Sequence, residues 1–247
     1  MTSNRDGDGL DQPAAQTHAG HGHRHDARGE NRLPPAAAIV VAGVLYALLP
    51  EKLLLGPRLL IPGVEIVLLV ALVAANPRRI TRETRVSRVA SLALIAVIIV
   101  TNLTALGFLV QQLVSAPVAG RTLLLAALQV WTTNVIAFAL LFWSLDRGGP
   151  VARGTLAREK LPLADFRFTH DEDQDTVVEV AAGSSKIADW APTFVDYLYV
   201  STTNSSAFSP TDTMPLTSRA KVFMGIEATA ALLTSLLVIA RAVGTLK

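Results

Sequence analysis

The residues of this 247-residue chain that are most able to do chemistry are polar side chains inside otherwise apolar segments. Such side chains are costly in hydrocarbon, so in a membrane segment they face protein or water. They predict a polar layer that either lines a path for an ion or small solute or joins helices by hydrogen bonds. The candidates are Asn102, Asn134, Asp196, Ser201, Thr203, Asn204, Asp212 and Glu227.

Two carboxylates of this set carry most of the prediction. Glu227 lies about two turns into the last apolar segment, where an ionisable group is a functional-site candidate by default. An ion pair with Arg219 or Lys221 is the simpler alternative. Asp196 lies in the first turns of the preceding segment, where a helix N-terminus favours an anion.

Three apolar segments each carry a short run of polar residues near the middle. If the segments are helices of one bundle, these runs can meet in one layer, with interhelical hydrogen bonding as the simpler interpretation. The runs are Thr101, Asn102 and Thr104, then Thr132, Thr133 and Asn134, and last Thr202, Thr203 and Asn204.

Catalytic and cofactor motifs are missing from the sequence. The chain has no cysteine, which excludes thiolate metal sites and a cysteine nucleophile. It also contains no Ser/His/Asp set, HExxH motif, P-loop or Rossmann fingerprint. We therefore predict that the protein is not an enzyme and has no cofactor.

The N-terminal tail holds the histidines that could bind a metal. His18, His21, His23 and His25 are closely spaced, and such imidazoles can bind Zn, Cu or Ni. Without a folded scaffold that binding is weak, and a solvated, disordered tail is the favoured interpretation. His170 is the remaining histidine of the chain, so no ligand cluster can be assembled elsewhere.

Composition predicts the fold class. A mean hydropathy of +0.41, with 51% hydrophobic residues, is too apolar for a typical soluble domain. We predict an all-α membrane protein, a polytopic bundle of about six transmembrane helices in the cell membrane. Its regions are a disordered tail (1–33), a four-helix transmembrane region (34–146), an acidic cytoplasmic loop (147–189) and a pore-like helix-turn-helix membrane segment (190–247).

Basic loops predict the orientation. Arginines outnumber acidic residues in residues 77–88, and Arg147, Arg153 and Arg158 follow the fourth segment. The positive-inside rule places both loops, and with an even number of crossings both termini, in the cytoplasm. Arg219 and Lys221 are the exception, since six crossings put them on the outer side.

The acidic loop contains two patterns of weaker meaning. Phe166–Phe168 and 176–180 alternate apolar and polar residues, which is typical of a small β-hairpin. Asp171, Asp173 and Asp175 have the spacing that opens a calcium loop, but the glycine and bidentate acid that complete such a loop are missing. A solvated acidic loop is the better interpretation.

The last quarter of the chain resembles a family of bacterial membrane proteins. The stretch FVDYLYVSTTNSSAFSPTDTMPLTSRAK, residues 194–221, is preceded by a PxFxF-type stretch within 162–168 and by Trp190. This pattern is similar to that of uncharacterised integral membrane proteins related to "domain of unknown function 1345". The resemblance implies a helical membrane bundle and no particular activity.

The same stretch resembles the pore segment of potassium channels in its spacing. Seven residues fall without a gap at the positions of the channel pattern: Asp196, Tyr199, Ser201, Asp212, Pro215, Thr217 and Lys221. The filter does not carry over, because Pro210 fixes φ where the channel's glycines allow carbonyls to face the ion. The acidic loop before it cannot be an outer helix. We therefore expect segment five to be a short span or half-span, not a potassium filter.

The function predicted from these patterns is a multi-pass membrane protein that is channel- or transporter-like for an ion or small solute. Its expected partners are the lipid bilayer and, as one arrangement, further copies of itself. Nucleic acid is not expected, since no basic block is interleaved with aromatics. The alternative is a structural or sensory membrane protein that acts through its cytoplasmic loop and tail.

Overall fold

The computed structural model describes residues 29–75, 79–80, 84–115, 120–172, 178–185, 187, 190–207 and 213–244. Most of the described chain is helical. The helices are α1 (Leu33–Ala47), α2 (Leu60–Ala75), α3 (Arg85–Ser115), α4 (Gly120–Leu145), α5 (Pro150–Thr155), α6 (Val178–Ala181), α7 (Phe194–Ala207) and α8 (Ser218–Gly244). The strands are β1 (Glu30–Asn31), β2 (Arg79–Ile80), β3 (Phe166–Phe168) and β4 (Thr213–Pro215).

Three of the described helices are long and apolar enough to cross a membrane. The segments are Arg85–Gln112 in α3, Arg121–Gly148 in α4 and the turn that follows it, and Ser218–Arg241 in α8. The helices α1 and α2 are apolar but shorter, with 15 and 16 residues. A helical membrane bundle therefore fits the structure, whereas the expected count of about six crossings is not confirmed.

One end of the bundle is closed by residues 146–172, which follow α4 and which we call the cap. We refer to this end as the capped end. The helix α1 begins there, since the Glu30 carboxylate accepts a hydrogen bond of 2.7 Å from the Trp143 indole. The helix α3 also begins there, because Arg88 donates to the Gly148 carbonyl at 2.7 Å. Glu30 lies within the predicted disordered tail, so the boundary of that tail at residue 33 is wrong.

The helices α7 and α8 both begin at the capped end and run antiparallel to α4. The backbone N–H of Phe194 at the start of α7 donates to Glu30 at 2.8 Å. Arg219 at the start of α8 donates to the Leu145 carbonyl at 3.3 Å. Farther along, Ser201 of α7 bonds to the Val135 carbonyl. The two helices therefore run parallel to each other.

This path changes two expectations about the ends of the bundle. Arg219 lies at the same end as Arg147 and Arg153, so its expected position opposite the other basic loops is wrong. Arg241 near the end of α8 shares a small cavity with Leu123, near the start of α4. Glu30 and Arg241 are therefore at opposite ends of the described bundle.

The strand β3 pairs with β4 and not with the stretch that the sequence suggested. The pairing is antiparallel, with Phe166 opposite Pro215 and Phe168 opposite Thr213. The predicted partner, 176–180, overlaps the helix Val178–Ala181. Phe166 and Phe168 point inward against Phe142 and Tyr197, so their backbone needs a partner at the bundle surface, and β4 supplies it there.

Charged groups hold the cap in place. Asp146 is fully buried and accepts hydrogen bonds from the Asp165 N–H at 2.6 Å and from the Tyr197 hydroxyl at 2.5 Å. Arg147 contacts the Asp171 carboxylate at 2.5 Å. Burial opposes the ionisation of Asp171, but the hydrogen bond from Ser185 and the charge of Arg147 outweigh it and lower the pKa of the Asp171 carboxyl group.

We expect Asp171→Asn to destabilise the protein by about 2 kcal/mol at neutral pH, since a charged acceptor of three donors is lost. A lowered pKa in the folded state means that ionised Asp171 stabilises the fold above its unfolded-state pKa. That stabilisation is lost as the pH falls through the folded-state pKa. The difference from wild type should therefore shrink below about pH 4. Thermal unfolding of detergent-solubilised wild type and Asp171→Asn across a range of pH measures this difference in stability.

Glu172→Gln is the matched control for Asp171→Asn. Glu172 is the next residue and pairs with Arg167 at 3.1 Å, but both side chains are about half exposed. Exposed pairs contribute little, so we expect a change of less than about 0.5 kcal/mol. Equal effects of the two substitutions would contradict the role given to Asp171.

Candidate polar site between α4, α7 and α8

The carboxyl group of Glu227 is the centre of a polar site in the middle of the bundle. Glu227 is fully buried. It lies on the face of α8 that also carries Met224, Ala231 and Thr234, all of them buried at helical spacing. The sequence of α8 therefore turns this ionisable side chain toward α4 and α7 and away from the exterior.

The helix α7 supplies the hydrogen-bond partners of Glu227. The Asn204 amide donates to Oε2 at 2.7 Å and also to the Met224 carbonyl at 3.0 Å. The hydroxyl groups of Ser201 and Ser205 both contact Oε1, the second at 3.1 Å. Residues 201, 204 and 205 share one face of a helix, because side chains three and four positions apart lie side by side.

The hydrogen-bond count shows which form of Glu227 fits the site. The Ser201 hydroxyl has one proton but faces two acceptor positions, Glu227 Oε1 and the Val135 carbonyl at 2.7 Å. If Glu227 carries a proton on Oε1, it donates to Ser201, and Ser201 donates to Val135. Every group is then satisfied, so the arrangement fits a neutral carboxyl group.

No ion pair of Glu227 is found in the described part of the chain. Arg219, the expected partner, instead binds the Asp165 carboxylate with an Nη2–Oδ2 distance of 2.6 Å. The simpler alternative given by the sequence, an ion pair of Glu227 with Arg219 or Lys221, is therefore not found among the described residues.

The predicted polar layer forms in part. The Asn134 amide donates to the Glu227 carbonyl at 3.2 Å, and the Asn102 amide lies 3.5 Å from Asn134 Oδ1. Together with Ser201 and Asn204 these residues join α3, α4, α7 and α8 at one level. The layer thus contains most of the amides and the carboxyl group that the sequence pointed out.

Four threonines of the predicted layer stay outside it. Each donates its hydroxyl to a backbone carbonyl of its own helix four residues earlier, which satisfies the group locally. They are Thr101, Thr104, Thr202 and Thr203. Thr203, a predicted site residue, therefore lies on α7 but does not contact Glu227.

Asp196 caps α7. Its carboxylate accepts hydrogen bonds from the Thr193 N–H at 2.7 Å and the Thr193 hydroxyl at 2.8 Å. A carboxylate at the first turn stabilises a helix N-terminus, so its position has a local structural cause. Asp212 and the four tail histidines, His18, His21, His23 and His25, lie outside the described residues.

Sequence reasoning missed Ser205 and Trp131. Ser205 contacts Glu227, and its carbonyl lies 3.5 Å from the Trp131 indole nitrogen. The spacing of four residues between Ser201 and Ser205 was the available signal, because it places both hydroxyls on the Asn204 face.

The site is closed in the single chain. Glu227 has no exposed surface, and a surface groove on α8 is lined by Val222, Gly225 and Ile226 on the opposite face. Among the described residues no group of three or more His, Cys, Asp or Glu side chains could hold a metal ion. None of the protein families, curated proteins or solved structures compared with the chain matches it, so both resemblances remain predictions.

We expect Glu227→Gln to lower the free energy of unfolding by less than about 1 kcal/mol. A glutamine amide at the Oε1 position donates to Ser201 as the neutral acid does, while its carbonyl accepts from Asn204. Glu227→Leu leaves these groups unpaired and should cost about 2–4 kcal/mol. Thermal unfolding of purified protein in detergent compares the two variants.

Thr229→Val serves as the control for the Glu227 variants. Thr229 lies on the exposed side of α8 and bonds only to the Gly225 carbonyl of its own helix. Its substitution should leave stability unchanged within about 0.5 kcal/mol. If Glu227→Gln proves as damaging as Glu227→Leu, the carboxyl group is ionised in the site.

Proposed function

We propose that the chain is a multi-pass membrane protein and one subunit of a channel-like homo-oligomer for an ion or small solute. In this arrangement α4 is an outer helix, α7 a re-entrant helix and α8 an inner helix. The observation that carries the proposal is the common direction of α7 and α8, both antiparallel to α4.

The depth of α7 supports a re-entrant helix. Its 14 residues are about 21 Å long. Ser201 bonds to Val135, at the midpoint of the span Arg121–Gly148, so α7 reaches the middle of that span. The strand β4, which follows α7, is back at the capped end beside β3. Non-helical backbone at membrane depth is tolerated where protein or water surrounds it, as in channels.

The crossings in this proposal are α1, α2, α3, α4 and α8, while α7 enters and leaves on one side. The basic residues Arg88, Arg147, Arg153 and Arg219 then share the capped end, which the positive-inside rule assigns to the cytoplasm. The missing outer helix of the channel resemblance is supplied by α4, although the cap separates it from α7 along the chain.

The outward face of α7 supports a homo-oligomer. Tyr199 and Ser206 are exposed and Thr203 is half-buried, at the level where α4 spans the membrane. Thr203 and Ser206 each donate to a carbonyl of α7 itself, and a polar helix face at that depth still packs better against protein or water than against lipid. Only 28% of the most apolar window of α8 is buried, so α8 also offers a wide surface to further copies. Symmetric copies around an axis would cover both surfaces.

A structural or sensory membrane protein is the second candidate. The closed network around Glu227 favours it, because every polar atom there is used to hold helices together. In that case the cap and the tail would contact cytoplasmic partners, and the bundle would be a scaffold.

Flux across liposomes separates the two candidates. Reconstituted wild-type protein should pass small cations or anions. Asn204→Leu should reduce that flux at least about tenfold, because the displaced α7 no longer packs on Glu227. Ile239→Leu, a change on the exposed side of α8, should keep it. Wild-type protein that passes none of the tested ions would refute the channel proposal.

Single cysteines test the path of α7, since the chain has no cysteine of its own. We expect Leu163→Cys in the cap and Lys221→Cys in α8 to react with an impermeant thiol reagent from the same side of the membrane. Lys52→Cys, which lies between α1 and α2, should react from the other side. Labelling of positions 163 and 221 from opposite sides would show that α7 crosses the membrane.

A further inference from the structure

A cavity lies between α1 and α2. Its volume is about 230 Å³, and its walls are largely aliphatic. Val40, Val44 and Ile66 line it and are about half exposed, so the cavity opens on the apolar outer surface of the bundle. A molecule would reach it from the bilayer and not from water.

Glu65 provides the single charged side chain of this cavity. Only 3% of it is exposed, and its Oε2 atom has no hydrogen-bond partner in the described residues. Buried carboxyl oxygens are normally paired, so an unpaired one needs a cause. The place of Glu65 near one end of the second apolar segment suggests a carboxylate at the membrane interface, and the structure shows it buried against Gly43 of α1.

Gly43 of α1 allows Glu65 to lie there. A Cβ atom added at Gly43 would stand 2.9 Å from Glu65 Oε2, closer than side chains normally approach. A larger residue would therefore push the carboxyl group out of its position. The cavity thus combines an aliphatic wall, a close glycine and one acceptor oxygen that has no donor among the described residues.

We propose that this cavity binds a lipid-soluble primary amine, whose ammonium group donates to Glu65 while its hydrocarbon part lies against Ile39 and Leu69. A donor satisfies the unpaired oxygen, and a positive charge compensates a carboxylate in apolar surroundings. The aliphatic walls select the rest of the molecule. The inference does not depend on the proposed channel.

The size of the cavity limits the ligand. A cavity of about 150 Å³ lined by aliphatic side chains holds benzene. A cavity of about 230 Å³ therefore fits an amine of roughly eight to ten heavy atoms. Cyclohexylmethylamine is a suitable probe, and cyclohexylmethanol is its neutral counterpart with nearly the same shape.

Carbodiimide labelling in lipid nanodiscs tests the proposal at the residue itself. Dicyclohexylcarbodiimide enters from the bilayer and adds to a protonated carboxyl group, and peptide mass spectrometry quantifies the total modification of Glu65. This total counts the N-acylurea adduct together with any amide that the amine forms by displacing dicyclohexylurea from the activated carboxyl group. Cyclohexylmethylamine should lower this labelling at least about tenfold more than cyclohexylmethanol does. Glu227, whose carboxyl group is enclosed by protein partners, should stay unlabelled with or without the amine.

Two glycine variants separate the site from a general effect. Gly43→Ala should abolish protection by the amine, because its methyl group takes the place beside Oε2. Gly63→Ala should keep protection, since no atom lies within 4 Å of a Cβ at Gly63. Glu65→Gln should lose saturable uptake of radiolabelled cyclohexylmethylamine into nanodiscs, which does not require labelling at that position.

Several results would overturn the proposal. They are an unlabelled Glu65 in wild-type protein, equal protection by the amine and the alcohol, or protection retained in Gly43→Ala. Saturable amine uptake retained in Glu65→Gln would overturn it as well, even if one glycine variant failed to fold. Ion flux can fail in the same protein without affecting any of these readouts.

Discussion

Polar atoms that lie away from water must find hydrogen-bond partners within the protein. In this chain α7 supplies such partners at two different levels of the bundle. At the capped end Asp146 accepts a hydrogen bond from the Tyr197 hydroxyl. In the middle of the bundle Glu227 is bound by Ser201 and Asn204. Asp146 directly follows α4, Glu227 belongs to α8, and both are fully buried. Without α7, Asp146 would lose the Tyr197 hydroxyl and the Glu227 carboxyl group would lose Ser201, Asn204 and Ser205, so the position of α7 and the burial of these carboxyl groups depend on each other.

The sequence of α7 suits this double task. Its first half is aromatic and apolar, and Tyr197 packs edge-on against Phe166 and Phe168 of β3 at centroid distances of 6.3 and 5.5 Å. Its second half consists of small polar residues, which let helices approach closely and offer hydrogen bonds. The first half of such a helix packs under the cap, and its second half packs beside Glu227. The short length of α7 then follows from the distance between the cap and Glu227.

Local patterns predicted the apolar helices and the polar layer, because apolar runs and ionisable residues within them depend on nearby sequence. The direction of α7 could not be predicted, since 14 residues with a polar half fit both a short span and a half-span. The β3–β4 pair joins residues more than forty positions apart, and an equally alternating stretch lay closer. The burial of Glu65 could not be predicted, because it depends on Gly43 in another helix, which no local pattern reveals.

The closed hydrogen-bond network around Glu227 and the proposed path for an ion or small solute are compatible only if they use opposite faces of α7. Ser201, Asn204 and Ser205 form hydrogen bonds with Glu227, so a solute that passed between α7 and α8 would have to break those bonds. The remaining polar groups, on the face with Tyr199 and Ser206, point away from the bundle. A path along that face needs walls from other copies of the chain. The inner face of α7 then fixes the helix, and the outer face becomes a pore lining only in the oligomer.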